Sequence, residues 1–252
     1  MLARIRSAAV LGIDAYLVEV EVDITNGLPS VATVGLPHGA VKEGRERVTA
    51  ALVNAGYNFP LKRITINLAP ADVRKDGSGF DLPIALGILA ASEQLDAGGL
   101  AEQLILGEVG LEGDLRPVRG ALSMTLAARK AGLRGVILPA ANLPEAAVVE
   151  GIEVRGARSL TEVCEHLGAG PRLTPIRVDV RALMSERAAD VVDFADVRAQ
   201  AGAKRALEVA AAGAHNILLV GPPGAGKTML ARRLPSILPG MSLDEALETT
   251  KV

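Results

Sequence analysis

Alternation of apolar and charged residues governs the start of the chain. In "YLVEVEVDIT" (Tyr16 to Thr25), Val18, Val20, Val22 and Ile24 are separated by Glu19, Glu21 and Asp23, the mark of a strand with one buried face. The residues before it begin with basic side chains, but Asp14, Glu19, Glu21 and Asp23 interrupt any apolar core, so a strand pair is expected and not a signal peptide. "NGLPS" (Asn26 to Ser30) reads as a turn and "VATVGLP" as a short strand. The period then changes. "GAVKEGRERVTAALVNAGY" takes helical spacing, with Val41, Val48, Leu52 and Val53 expected inward and Lys42, Glu43, Arg45, Glu46 and Arg47 outward. The Arg45/Arg47 and Lys62/Arg63 pairs are accordingly read as solvated faces.

Further along, "RITINLAP" (Arg63 to Pro70) predicts a strand. "FDLPIALGILAAS" (Phe80 to Ser92) predicts an apolar helix that tolerates Pro83 in its first turn. "LILGEVGLEGDLRPV" reads as a hairpin turning at Gly113-Asp114, and "ALSMTLAARKAG" as a helix ended by Gly132. "GVILP", a helix around Pro144 to Val149, "GIEVRG" and "SLTEVCEHL" complete the series. Strands and helices mix without a strictly repeating βαβ unit, which predicts an α+β domain over residues 1–167. "GAGPRLTP" (Gly168 to Pro175) opens a connector over 168–192, and a second domain is expected from Asp193 onward.

Composition adds bounds. Apolar residues make up 49% and charged residues 22%, enough for a folded protein with a core, while aromatics are only 2%, so that core must be aliphatic. A net charge of −2 offers no global attraction for nucleic acid, so any DNA contact must be local. A single cysteine, Cys164, excludes an internal disulfide and suits a reducing cytoplasm. No run of eighteen or more apolar residues occurs, and no membrane span is expected.

The chemistry concentrates near the end. "VGPPGAGKTML" (Val220 to Leu230) fits the phosphate-loop pattern Gly221-x-x-x-x-Gly226-Lys227-Thr228. The preceding "HNILLV" (His215 to Val220) is expected to be a strand, and "MLARRLPSIL" to continue as a helix. The backbone of Gly221, Pro222, Pro223, Gly224, Ala225 and Gly226 would surround phosphate oxygens at a helix N-terminus, with Met229 closing the set. Lys227 supplies charge toward the β- and γ-phosphates, and Thr228 offers its hydroxyl to Mg²⁺. ATP and Mg²⁺ are therefore the expected cofactors. Upstream, "DFADVRAQAGAKRALEVAAAGAHN" resembles the segment of AAA+ ATPases that lies against adenine, with Asp196, Val197 and Gln200 matching it. Many relatives carry glycine where this chain has Ala199. The short remainder after the loop contains no second acidic strand, sensor or arginine finger, so these residues are expected to bind nucleotide at most and not to hydrolyse it.

"GLPHGAVKEGRERVTAAL", "RKDGSGFDLPIALGILAAS" and "LGEVGLEGDLRPVRGALSMTLAARKAGLRGVILP", with the stretch from "DFADVRAQ" to the end, resemble the ComM/YifB family of Mg-chelatase-like AAA+ ATPases along essentially the whole chain. The resemblance implies a first domain with the fold of the second domain of a ribosomal small-subunit protein, as in the Lon protease domain and the C-terminal domain of RadA. The start of an α/β P-loop AAA+ domain would follow over 193–252. It also implies a cytoplasmic ATPase ring, hexameric in the parent, acting as a DNA motor that promotes branch migration in natural transformation. Two other readings are a chelatase motor subunit coupling ATP hydrolysis to metal insertion, and a non-catalytic binding module.

The same likeness raises a peptidase. Lon proteases pair a serine with a lysine base. Here Gly79 and Leu122 stand at those two places, Ser78 lies one position early, and no base is expected for it. Arg74, Lys75, Arg116 and Arg119 remain candidates for an anion or DNA contact, against a plain structural turn in which Asp81 caps the helix. Cys164 and His166 are two residues apart and too few for zinc.

Overall fold

The computed structural model describes residues 1–73, 75, 77–179 and 192–251, in two compact units that divide after Val178. The first begins with the expected pair: β1 (Leu2–Leu11) and β2 (Asp14–Thr25) run antiparallel, with Arg4 opposite Glu21 and Arg6 opposite Glu19. Their inward residues, Ile5, Val18, Val20 and Val22, are almost fully buried. β3 (Ser30–Val34), α1 (Ala40–Asn54) and β4 (Arg63–Ala69) follow, and β3 lies parallel to β4. The chain continues through α2 (Asp81–Ala91), β5 (Gln103–Ile105), the two-residue strands β6 (Glu108–Val109) and β7 (Leu115–Arg116), and α3 (Ala121–Lys130). β8 (Gly135–Pro139), α4 (Leu143–Ala146), β9 (Glu153–Ala157) and α5 (Leu160–Leu167) complete it.

Seven strands form one sheet in the order β3-β4-β2-β1-β5-β8-β9. Two neighbouring pairs are antiparallel, β1–β2 and β2–β4. The other four, β3–β4, β1–β5, β5–β8 and β8–β9, are parallel. The expected mixture of strands and helices takes the form of a mixed α/β fold with a mostly parallel sheet. Three crossovers carry it: β3–α1–β4, β5 to β8 through α3, and β8–α4–β9. Parallel strands need both faces covered, which makes their sequences apolar on both sides. In β5 and β8, Leu104 and Val136 join α3 in one core, while Ile105 and Ile137 join α1, α2 and α5 in the other.

α2 is the central helix. All of its residues are buried, and Gly87 permits the close approach, since a Cβ there would stand 2.6 Å from Val22 Cγ2. On α1, Val41, Val48 and Leu52 point inward as expected, but Val53 is 54% exposed, because one residue beyond Leu52 the helix has turned through about 100°. Residues beyond α5 do not leave this unit at once. Ile176 N–H donates to Val154 O at 2.8 Å, laying the segment 171–178 against β9.

The second unit contains α6 (Ala201–Ala212), α7 (Lys227–Arg233) and α8 (Leu243–Thr250), and Phe194, Val197, Leu207 and Leu230 form its small core between α6 and α7. The strand expected at His215 to Val220 is corrected: no ladder forms there among the described residues. The alternation survives, with Ile217 and Leu219 half-buried and Leu218 and Val220 84% and 85% exposed. A strand exists through pairing, and no described segment of this unit pairs with it. α7 also ends early, at Arg233, where Pro235 interrupts the α-helical ladder and a 3₁₀ turn takes over at Leu234–Ile237. Residues 180–191 of the connector lie outside the described residues.

Candidate functional site

The glycine-rich turn from Gly221 to Gly226 depends on backbone conformations that side chains disfavour. Gly224 and Gly226 have φ of 81° and 80°, in the left-handed region, and Gly226 delivers the chain into α7. Lys227 then curls back over the turn, its Nζ donating to Gly221 O at 2.7 Å and to Pro222 O at 2.8 Å. Thr228 is exposed in the first turn of α7, and Met229 is half-buried against the small core. The result is an ammonium held by carbonyls across a turn that opens onto the start of a helix. Positive charge and first-turn N–H groups suit phosphate oxygens there, so the residues fit a nucleotide phosphate chain.

The lead-in segment is tied to this turn. Asp193 Oδ1 accepts the Ala195 N–H at 2.8 Å and organises a 3₁₀ turn at Phe194–Asp196. Val197 is buried beneath it, and Gln200 Nε2 donates to Ala225 O at 3.4 Å. Ala199 has φ 57°, which explains why glycine suits that position.

In the first unit, neither Gly79 nor Leu122 carries a reactive group. Gly79 accepts the Gly107 N–H through its carbonyl at 3.0 Å, and Leu122 is buried at the start of α3. Ser78 nevertheless has an acceptor, contrary to expectation: its hydroxyl donates to the Glu108 carboxylate, whose other oxygen lies 3.7 Å from Arg116 Nη1. The sequence carried the signal. Once the turn is set at Gly113-Asp114, Glu108 falls opposite Arg116 in the hairpin register. A carboxylate holds the hydroxyl in place, but the contact supplies neither the imidazole nor the amine that activates serine nucleophiles.

Asp81 is not the helix cap that was expected. It is buried in the first turn of α2, where Arg47 Nε meets Oδ2 at 2.8 Å and Arg47 Nη2 meets Oδ1 at 3.2 Å. Burial pushes the Asp81 carboxyl above its ordinary range, and Arg47 opposes that shift. Arg47 is thus corrected from solvated face to partner of a buried acid. Gly44 makes room, since a Cβ there would run into Asp81 Oδ1.

The four cations considered for an anion contact are placed differently. Arg74 lies outside the described residues. Lys75 is fully buried without a partner for Nζ, and burial lowers its pKa. Arg116 stands between Glu108 and Asp114, at 3.7 and 3.3 Å, and Arg119 is exposed. At the head of α2, the N–H groups of Asp81 and Leu82 already donate to Ser78 O and Gly107 O. Among the described residues no three His, Cys, Asp or Glu side chains are grouped to hold a metal, and no helix is long and apolar enough to cross a membrane.

Comparison with known proteins agrees with these two parts. Residues 20–142 match the family described as subunit ChlI of Mg-chelatase, and residues 193–252 match magnesium chelatase, subunit ChlI. Both matches are to the ChlI subunit of magnesium chelatase, which places the chain among magnesium-chelatase-like proteins. The chain is 45% identical over 253 residues to competence protein ComM of Haemophilus influenzae and 46% identical over 254 residues to YifB of Escherichia coli. In both cases all of this chain is covered and 49% of the relative. The chain belongs to the ComM/YifB family. It spans about half the length of these curated relatives. More distant likeness extends to Lon protease of Mycolicibacterium smegmatis, 28% identical over 64% of this chain and 21% of the relative. DNA repair protein RadA of Escherichia coli is 38% identical over 30% of this chain and 16% of the relative.

Proposed function

We propose that Gly221 to Met229 bind the phosphates of ATP, with Lys227 facing the β- and γ-phosphates and Thr228 contributing its hydroxyl to Mg²⁺. The observation behind this reading is the Lys227 ammonium folded over the Gly221 and Pro222 carbonyls at the head of α7. Mg²⁺ would neutralise phosphate charge; the chain's own residues hold and orient the phosphates. The test is titration of the 252-residue polypeptide with a fluorescent ATP analogue. Saturable binding that Lys227→Ala abolishes is expected; equal binding by both would sink the assignment.

For the parent protein the reading is a cytoplasmic ATPase ring, a hexamer, that moves DNA branches during transformation. The ComM and RadA likenesses support it. The first unit would then be a Lon-protease-like domain of the ribosomal-protein kind, with its dyad positions empty at Gly79 and Leu122, and 193–252 the opening of the AAA+ domain. Arg74, Lys75, Arg116 and Arg119 remain its proposed anion contacts. Both chelatase matches favour a second reading, metal insertion driven by ATP. ATP-dependent branch migration by the full-length protein on a synthetic four-way junction supports the first; its absence, with metal insertion into a porphyrin, supports the second. No casein cleavage is expected, and cleavage that Ser78→Ala removes would refute the empty-dyad reading.

A further inference from the structure

A second polar site lies in the first unit, far along the chain from the glycine-rich turn. The parallel register aligns Gln103 of β5 with Gly135 of β8 and Glu153 of β9. Gly135 has no Cβ, and one placed there would run into Gln103 Oε1 and lie 3.2 Å from Arg155 Nη1. The missing methyl therefore lets an amide and a guanidinium share one layer above the strands. Arg155 uses two of its nitrogens: Nη2 donates to Glu153 Oε2 at 2.8 Å and Nε to Leu173 O at 3.2 Å. Its Nη1 is buried with no partner, and so is Gln103 Oε1. Buried polar atoms are rarely left unpaired, and two beside one another on different strands ask for an explanation.

Both side chains line a cavity of about 570 Å³, together with Arg134, Arg172 and His166. The Leu173 N–H donates to His166 Nδ1 at 3.0 Å, which fixes the neutral tautomer with its proton on Nε2. The cavity thus gathers three guanidiniums and an imidazole. Its counter-charges are Glu153, bound to Arg155 and 3.7 Å from Arg134, and Glu102, 3.8 Å from Arg134. Three positive charges against two negative leave one in excess. Gln103 adapts to either polarity, because a half-turn of its terminal torsion exchanges Oε1 for an N–H donor. Guanidinium forks bind phosphate oxygens bidentately, and several converging forks suit its tetrahedral set of oxygens.

We infer that this cavity, at the N-terminal ends of β5, β8 and β9, binds a phosphate group. The source is either a small free phosphate or the terminal phosphate of a nucleic-acid strand, and the chemistry at Arg155, Arg134 and Arg172 is the same for both. The assignment does not depend on the glycine-rich turn.

The experiment uses the 252-residue chain carrying Lys227→Ala, so that the turn contributes no cation. Calorimetric titrations are run with inorganic phosphate, with pyrophosphate, and with a short single-stranded oligonucleotide bearing either a 5′-phosphate or a 5′-hydroxyl. Arg172→Gln and Arg134→Gln alter exposed side chains and are checked for unchanged melting; Arg45→Gln on α1 is the control. Saturable binding of at least one phosphate probe is expected, weakened tenfold or more by each cavity variant and unaffected by the control. Binding of the free anions identifies a small ligand; binding only of the 5′-phosphorylated oligonucleotide identifies a strand end. No binding at millimolar concentration, binding indifferent to the 5′-phosphate and to both variants, or equal weakening by Arg45→Gln would overturn the proposal.

Discussion

Glu93 stands where the backbone asks for glycine. After α2 ends at Ala91, Glu93 N–H donates to Ala90 O at 3.1 Å and Gln94 N–H to Leu89 O at 2.9 Å, the two bonds of a Schellman ending. Glu93 has φ 62° and is exposed, so its side chain gains little from the strain. Glu93→Gly should stabilise the first unit by about 0.5–1 kcal/mol, the relief of left-handed strain less the entropy that glycine adds to the unfolded chain. Chemical denaturation reads this directly, and a lowered midpoint would contradict it. Arg47 gives the opposite case. Arg47→Met leaves Asp81 buried without its guanidinium and should cost about 3 kcal/mol near neutral pH. The sign with pH follows from burial, which then raises the Asp81 pKa with only the Val109 N–H left to oppose it. A group whose folded pKa is raised is most favourable below its ordinary value of 3.8 and loses stability as pH rises. The variant's deficit should therefore shrink on acidification, and a deficit that grows would exclude this account. Neither feature was legible in the sequence: helical spacing puts Arg47 on the charged side of α1, and only the packing of α1 on α2 turns it toward Asp81.

Elements defined by local pattern were the most legible part of the fold, and those needing a distant partner the least. β2 and α3 carry their period within themselves, and α2 its nearly unbroken apolar run. The sheet order does not, because whether β5 meets β1 or β4 depends on loop closures that leave no mark on periodicity. The segment 171–178 is a similar case. Its prolines, following Gly168 and Gly170, read as a connector, yet the backbone groups of Leu173 and Ile176 are bonded to β9 and α5. His166 reports on that contact. Burial first, then Arg155 and Arg172, depress its pKa below 6.5. For a depressed pKa, the stabilisation is present above 6.5 and is lost as pH falls through the folded value, because the unfolded state takes up the proton first. His166→Gln keeps an acceptor for the Leu173 N–H and cannot titrate. Between pH 7 and 5, wild type should lose more stability than this variant in paired denaturation curves; parallel losses would show that His166 is not held neutral by the fold.

At the scale of the whole molecule, the glycine-rich turn was legible because its residues fix a local backbone, whereas its supporting strand was not, since Leu218 and Val220 have no ladder partner. This contrast separates binding from turnover. Holding phosphates takes the turn, Lys227 and the start of α7, all present in the second unit. Hydrolysis also takes groups that position water and stabilise charge in the transition state. In the full-length protein, Lys227→Ala should reduce steady-state phosphate release by at least a hundredfold, since a preorganised charge aimed at the reacting group is worth about 10²–10³ in rate. Thr228→Ala should act differently. It removes a metal ligand rather than the cation, so its loss should be partly recovered at high Mg²⁺, while Lys227→Ala stays inactive at any Mg²⁺ concentration. The 252-residue polypeptide alone should bind nucleotide without releasing phosphate. Comparing these four proteins across a Mg²⁺ series separates the roles. Turnover by the 252-residue polypeptide that vanishes in Lys227→Ala would mean that the water-positioning groups already lie within these residues, and that the division between binding and hydrolysis drawn at the second unit is wrong.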